Sequence, residues 1–423
     1  MTDSPDAAAP PPRWSIIGPG LVVAATGVGA GDLVATLVAG SQYGYALLWA
    51  AVVGTIVKIA LAEGVGRWTL ASGRTMFDGW SSLPGGGAKL NWATAYFAVY
   101  VVVWGFVYGA AAMTASALPL AALFPAIDLK VFGMASGVAG LLLVWFGGYG
   151  LFEKVMTAQV GLMFITVVSL AVIVSPDIPA LLTGLWPTFP EGSAFYTLGL
   201  IGGVGGTITM AAYGYWLRAK GWRGVAWIPV MRLDNRVAYA MTGLFVVAML
   251  IVGAELLHAA GVALSSGDRG LLDLGQVLED RFGRPISILF LVGFWAASFS
   301  SLIGVWQGVS LMFGDFWAHM RGRPEDDGVA QDGGPAFKAF ALWLTFPPMA
   351  LLFIDRPFGL IVAYGVLGSL FMPFLAGTLI WLLNSARMPA EHRNGWVSNS
   401  LLTAAAVLFA VLAGRELLGL LTG

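Results

Sequence analysis

Cysteine is absent from this 423-residue chain, which excludes a disulfide framework and thiolate metal sites. Charge is scarce: Asp, Glu, Lys and Arg make up 11% of the residues, less than half the ~25% of soluble domains. The histidines, His258, His319 and His392, are scattered. HExxH, GxSxG and Walker-type spacings are all missing, so the chain is not expected to be an enzyme or to carry a cofactor. A net charge of −1 without basic runs argues against nucleic acid as a partner. Alternating segments of a membrane β-barrel are missing as well.

What is present is apolar. The chain is 58% hydrophobic with a mean hydropathy of +0.81, more than a water-soluble globule of this size can hide. Eleven runs approach the ~20 residues of a spanning helix, at about 16–40, 46–70, 92–119, 131–146, 155–175, 195–217, 238–260, 286–316, 339–353, 358–383 and 397–418. The expected class is an all-α integral membrane protein of 11 transmembrane helices. Lys and Arg fix its orientation. With the N-terminus inside, the inner side carries 15, among them Arg67, Arg218 and Arg321. The outer side carries 6, and Lys58 lies within a span, which accounts for all 22. The expected location is the cytoplasmic (inner) membrane, with the N-terminus cytoplasmic and the C-terminus extracytoplasmic. Residues 1–14, acidic and Pro-rich, read as a disordered cytoplasmic tail and not a cleaved signal. Residues 265–285 read as a short amphipathic surface helix, and 321–335 as a flexible polar loop.

Glycine is abundant, at 57 residues against a usual ~7%, and it concentrates in two spans. The first carries TGVGAGD (Thr26–Asp32); the sixth has glycines at 202, 203, 205 and 206, followed by Thr207, Thr209 and Met210. Each glycine weakens a helix by roughly 1 kcal/mol relative to Ala, so these are the places where a helix unwinds. Close packing between helices is the other use of such glycines. The pairing favours the first reading: both stretches fall in the first helix of a five-helix unit. Two units with an odd number of spans are inverted relative to each other, and matched Gly-interrupted segments point to a transporter binding site. The expected organisation is one repeat over 15–180, a second over 190–385 and an extra helix over 394–423.

At this point the chain resembles the Nramp (natural resistance-associated macrophage protein) family of divalent metal transporters. The likeness rests on GPG (Gly18–Gly20), LVAGSQYGYALLWA (Leu37–Ala50), GLFEKV (Gly150–Val155), FSSLIGVWQGVSLMFGDF (Phe299–Phe316) and SLFMPFLAGTLIWLLNS (Ser369–Ser385). It runs in order over almost the whole chain. It implies the LeuT-type fold of inverted five-helix repeats plus one extra helix, and secondary active transport, with proton symport as the family's usual coupling. The family's helix 1 motif, Asp-Pro-Gly-Asn, falls on Gly29, Ala30, Gly31 and Asp32, so the metal-binding Asp is Gly29 and a carboxylate stands where the Asn belongs. Its helix 6 motif, Met-Pro-His-Asn, falls on Met210, Ala211, Ala212 and Tyr213. The Gln of helix 10 falls on Gly365, and the acidic residues of helix 3 have no match in 92–119.

The residues themselves support a site at the two interruptions. Asp32 is an ionisable group inside a span, a functional candidate by default; it either ligates a cation or caps the second half-helix. Met210 is a soft ligand for a transition metal or plain packing. Thr26, Gly29, Thr207 and Tyr213 line the expected substrate pocket, with Asp32 and Met210 as its metal ligands. Glu255 and His258, three apart on the seventh span, are candidates for a proton or ion relay, or a surface-proximal pair. Lys58 either snorkels or neutralises Glu63 or another carboxylate, and Gln307 bridges helices. The expected function is alternating-access transport of a divalent cation, Mn²⁺- or Fe²⁺-like or hydrated Mg²⁺, by a monomer in the lipid bilayer. The alternatives are an ion-coupled carrier of a small organic solute and a non-transporting sensor on the same scaffold.

Overall fold

The computed structural model describes residues 18–85, 90–203, 206–258, 269–322, 332–354 and 357–422. The expected N-terminal tail, the start of the 265–285 segment and most of the 321–335 loop lie outside the described residues, as do the side chains of 30–35. Among the described residues there are helices and no strand.

The chain begins with two short helices in line, α1 (Pro19–Thr26) and α2 (Ala30–Tyr43), then α3 (Leu48–Ser72) and a six-residue α4 (Met76–Ser81). Next come α5 (Trp92–Leu123), α6 (Leu129–Phe146), α7 (Gly148–Ile173) and α8 (Ile178–Gly184). A second interrupted pair follows, α9 (Ala194–Gly203) and α10 (Tyr213–Ala219), leading to α11 (Ile228–Gly253), which runs on into a π-helical turn, Ala254–His258. The chain closes with α12 (Arg269–Phe282), α13 (Arg284–Met320), α14 (Pro335–Met349), α15 (Pro357–Asn384) and α16 (Trp396–Thr422).

Local chemistry sets several of these limits. Asn91 starts α5 through a capping box, its Oδ1 accepting from Thr94 N at 2.9 Å while Thr94 Oγ1 accepts from Asn91 N at 3.0 Å, which satisfies two of the amides a helix start leaves orphaned. Gly73, at φ +69, ends α3 by donating to Thr69 O, the left-handed stop that glycine adopts without Cβ strain. The sequence places the start of the seventh span at 238, yet α11 begins at Ile228. Arg232, Asp234, Asn235 and Arg236 depress hydropathy without breaking a helix, so the element outruns its apolar part.

Among the described residues, seven of the eleven expected spans are helices long and apolar enough to cross a membrane: α3, α5, α6, α7, α11 with its flanking turns, α13 and α14 with the turn that follows. The first and sixth are missing from that set because each is cut in two. α13 has 37 residues, about 55 Å at 1.5 Å per residue, and so outreaches a ~30 Å hydrocarbon core. It is also central. In α13, α11 and α5 the apolar window is 78%, 72% and 67% buried, against 33% in α6 and 39% in α14. α1 and α2 pack on α11 and α13, α5 packs on α13 and α15, and α16 packs on α15 and α3. α12 lies along α13, with Leu278 fully buried and Ser287 Oγ donating to Gly275 O at 2.7 Å. The broken helices are thereby enclosed by α3, α5, α11, α13 and α15.

Candidate functional site

Both expected interruptions are present. In the first, α1 stops at Thr26, Gly27 to Gly29 leave the helix, and α2 resumes at Ala30. The carbonyl of Thr26 accepts the Ser301 hydroxyl of α13 at 2.7 Å. Ser301 has spent its one proton there, so at its 2.9 Å contact with Tyr108 of α5 the tyrosine is the donor. A Cβ on Gly29 would lie 3.1 Å from Ser301 Oγ and 3.8 Å from Tyr364 Oη. Three hydroxyls thus gather at the gap. The Thr26 side chain donates to Val22 O at 2.6 Å and presses on α13 at Gly304, where a Cβ would collide with it.

In the second interruption α9 ends at Gly203, and the backbone passes Gly206 at φ +89 and Thr207 at φ −122, ψ −100 into a 3₁₀ turn, Ile208–Met210. Regular helix returns at Tyr213. The unwound part therefore extends past the glycines that signal it. The Gly206 carbonyl accepts the ammonium of Lys58 from α3. Thr207, half-buried, lies against α15, where a Cβ on Gly368 would be 3.0 Å from its Cγ2. The two gaps meet: a Cβ on Gly206 would stand 3.1 Å from Gly27 Cα. Non-helical backbone at membrane depth requires such mutual enclosure or a cavity.

The expected site residues distribute unevenly over this geometry. Thr26, Gly29 and Thr207 are at the paired gaps. Asp32 is in the first turn of α2, three residues beyond Gly29, and its side chain lies outside the described residues. Met210 is fully buried in the apolar core. Tyr213 is fully buried too, but its hydroxyl goes to Asp234 Oδ2 at 3.2 Å and its ring packs against Gly66 of α3. Glu255 and His258 are not joined in the structure's contacts. Glu255 accepts from Tyr45 Oη at 2.6 Å and from Asp177 N at 3.2 Å, whereas His258 Nδ1 donates to Ser41 O at 2.9 Å. The π turn that carries them breaks the one-face spacing of an α-helix. Glu63 pairs with Arg67 at 2.9 Å and Arg232 at 3.0 Å, so its charge is met without Lys58. Gln307 does bridge helices, its Oε1 accepting from Trp216 Nε1 of α10 at 2.5 Å.

Two carboxylates escaped the sequence reading. Asp234 of α11 accepts from Gly18 N at 2.9 Å, Gly20 N at 2.5 Å and the Tyr213 hydroxyl; it caps the start of α1, where the amides are unpaired and the helix dipole is positive. Asp315 of α13 accepts from Thr75 Oγ1 at 2.7 Å and Tyr215 Oη at 2.5 Å. Between them they hold α1 and α10, one half of each broken helix. The GPG motif was the available signal, since a Gly-Pro-Gly helix start leaves its first amides open to an acceptor.

Among the described residues no group of three or more His, Asp or Glu side chains comes together as a metal cage. Among the described residues, hydroxyl and carbonyl oxygens surround the gaps. Such oxygens suit hard cations that keep part of their water shell.

Comparison with known proteins agrees with this architecture. The model of the family "natural resistance-associated macrophage protein-like" matches residues 20–418. The divalent metal cation transporter MntH of Mycobacterium tuberculosis H37Rv is 27% identical over 316 residues, 71% of this chain and 70% of that protein. MntH of Mycobacterium leprae is 24% identical over 420 residues, 94% and 90% of the two chains. A mutant of the Eremococcus coleocola manganese transporter superposes with a TM-score of 0.74 over 97% of this chain and 87% of that one, at 13% identity. MhsT in complex with L-phenylalanine gives 0.57 over 93% and 97%, at 16% identity. At these identities the structural matches speak for the fold alone.

Proposed function

Since this chain belongs to the natural resistance-associated macrophage protein-like family, a family of membrane transporters and not enzymes, we propose that it moves a divalent cation through the paired gaps of its two broken helices by alternating access. The carrying observation is the contact of the gaps themselves, with Gly206 against Gly27. Carbonyl oxygens released by unwinding, the hydroxyls of Ser301 and Tyr364, and the Asp32 carboxylate form an oxygen-rich set for a partly hydrated ion. Thr26, Gly29 and Thr207 frame that set, and Met210, in the 3₁₀ turn of the second gap, supplies the soft donor that favours Mn²⁺ or Fe²⁺ over Ca²⁺. The names of the relatives above favour this reading over an organic-solute carrier or a sensor.

The two inverted repeats span 15–180 and 190–385, with an added helix over 394–423, and the monomer sits in the cytoplasmic membrane with its arginine-rich end inside. Proton coupling uses Glu255 and His258 at the far end of the seventh span as two separate groups, one on the Tyr45 hydroxyl and one on the Ser41 carbonyl. Purified protein in liposomes loaded with a metal-quenched dye tests the core of the proposal. Mn²⁺ is expected to enter the wild type, and Asp32→Ala is expected to abolish entry. Transport of neither Mn²⁺ nor Mg²⁺ by the wild type would remove the divalent reading.

A further inference from the structure

Lys58 stands inside the site, and the ligand set just described does not use it. It is fully buried on α3, and contacts from two other elements reach its ammonium. The Gly206 carbonyl, in the second gap, accepts from Nζ, and the ring of Phe409, a buried residue of α16, lies 5.4 Å from Nζ to its centroid. Burying an ammonium is costly unless such partners are supplied, and a carbonyl freed by unwinding is the kind of oxygen that binds cations in broken-helix carriers. The cation seat at Gly206 is therefore already taken by a cation of the chain's own.

We propose that Lys58 is a specificity-determining residue: its ammonium is a tethered cation seated on the Gly206 carbonyl, and a substrate ion has to displace it toward the Phe409 ring. The inference rests on the divalent reading above and deepens it. Exchanging the ammonium for Na⁺ or K⁺ swaps one unit charge for another and gains little from the carbonyl dipole. Exchanging it for a divalent ion doubles the charge at the oxygen, because the ion–dipole attraction scales with charge. The tether thus discriminates against monovalent ions, and it keeps the gap electrostatically filled when no substrate is present. α16, which lies outside the two repeats, gains a task as the wall that receives the displaced amine.

The test compares full-length wild type, Lys58→Met and Lys58→Arg in detergent. Calorimetric titration with Mn²⁺ is run with and without about 0.15 M NaCl, the physiological ionic strength, choline chloride holding the ionic strength constant. Lys58→Met is expected to bind Mn²⁺ about tenfold more tightly without Na⁺, a gain of about 1.4 kcal/mol, and to lose several-fold of that when Na⁺ is added. Wild type and Lys58→Arg are expected to ignore Na⁺. Equal affinity and equal Na⁺ indifference in all three chains would overturn the proposal, as would weaker Mn²⁺ binding by Lys58→Met. A second measurement needs no metal: ethylammonium is expected to raise the melting temperature of Lys58→Ala and leave the wild type unmoved. Ethylammonium rescue of Lys58→Ala beside a wild type that binds no Mn²⁺ would leave the seat standing and remove the divalent reading. Absence of rescue overturns the seat itself.

Discussion

At the arginine-rich end of the bundle Asp234 and Asp315 are 2% and 3% exposed; Asp234 grips α1 and α10, and Asp315 grips α10. At the opposite end the corresponding acid, Glu255, is half-buried, and it ties a turn hydroxyl, Tyr45, to a loop amide, Asp177. One end is closed by carboxylates whose partners have no water to fall back on, the other by a contact that solvent can replace. The same hydrogen bond is worth different amounts in the two places, because the cost of leaving a donor unmet grows with burial. Opening the arginine-rich end is therefore the more demanding half of an alternating-access cycle. The seven-residue α10, held by Tyr213 at Asp234 and by Tyr215 at Asp315, is the element that such an opening must release.

The largest effect is expected at Asp234. Asp234→Ala strands the amides of Gly18 and Gly20 and the Tyr213 hydroxyl, and each buried donor left unmet costs about 1–3 kcal/mol. The sum is expected to exceed about 3 kcal/mol and to appear as a large drop in melting temperature. Asp234→Asn, which keeps one acceptor oxygen, falls between. A wild-type melting curve for Asp234→Ala would show that this closure is no stronger than the other.

Asp315→Ala comes next. It loses two donors, Thr75 Oγ1 and Tyr215 Oη, and no backbone amide, so about 2 kcal/mol is expected. Because Asp315 holds α10 from one side only, the loss is expected to be local: faster amide exchange over 213–219 with little change in α5 or α14. Uniform acceleration across the bundle would contradict a local grip.

The difference between the ends also marks what the sequence could and could not reveal. The helices were legible because apolar runs of bilayer length have no other stable home, and the two gaps because glycine is concentrated there. The extent of the second gap was not legible: helix persists through Gly203, and the irregular backbone continues through Thr207–Ala212, where tertiary contacts with α15 and α3 override the propensity of the Ala and Met residues. Asp234 sat ahead of the expected start of the seventh span at 238 because its neighbours are charged. Its partners Gly18 and Gly20 are 216 and 214 residues away, beyond the reach of any local pattern. Lys58 was visible as a charge within a span, with snorkelling, Glu63 and another carboxylate left open for it, but the Gly206 carbonyl it reaches is 148 residues off. Glu255 and His258 fit an α-helical spacing that the π turn then undid.

The smallest effect is expected at the opposite end, at Tyr45, in the turn between α2 and α3. Desolvation, and then its hydrogen bond to Glu255, raise its hydroxyl above the ordinary tyrosine value of 10.0. A raised folded-state pKa means that the unfolded chain releases this proton first. The contribution to stability is thus complete below pH ~10, the unfolded value, and declines as pH rises from there toward the folded one. The group is half-buried at the edge of the bundle, so the contribution is small and water partly screens it. Tyr45→Phe is expected to lower the melting temperature slightly at pH 7 and to flatten the alkaline decline above pH ~10, whereas Asp234→Ala keeps the wild-type alkaline slope from a lower starting point. An alkaline profile unchanged in Tyr45→Phe would mean that the outer contact breaks before its hydroxyl titrates, making that end weaker still than its hydrogen bonds suggest.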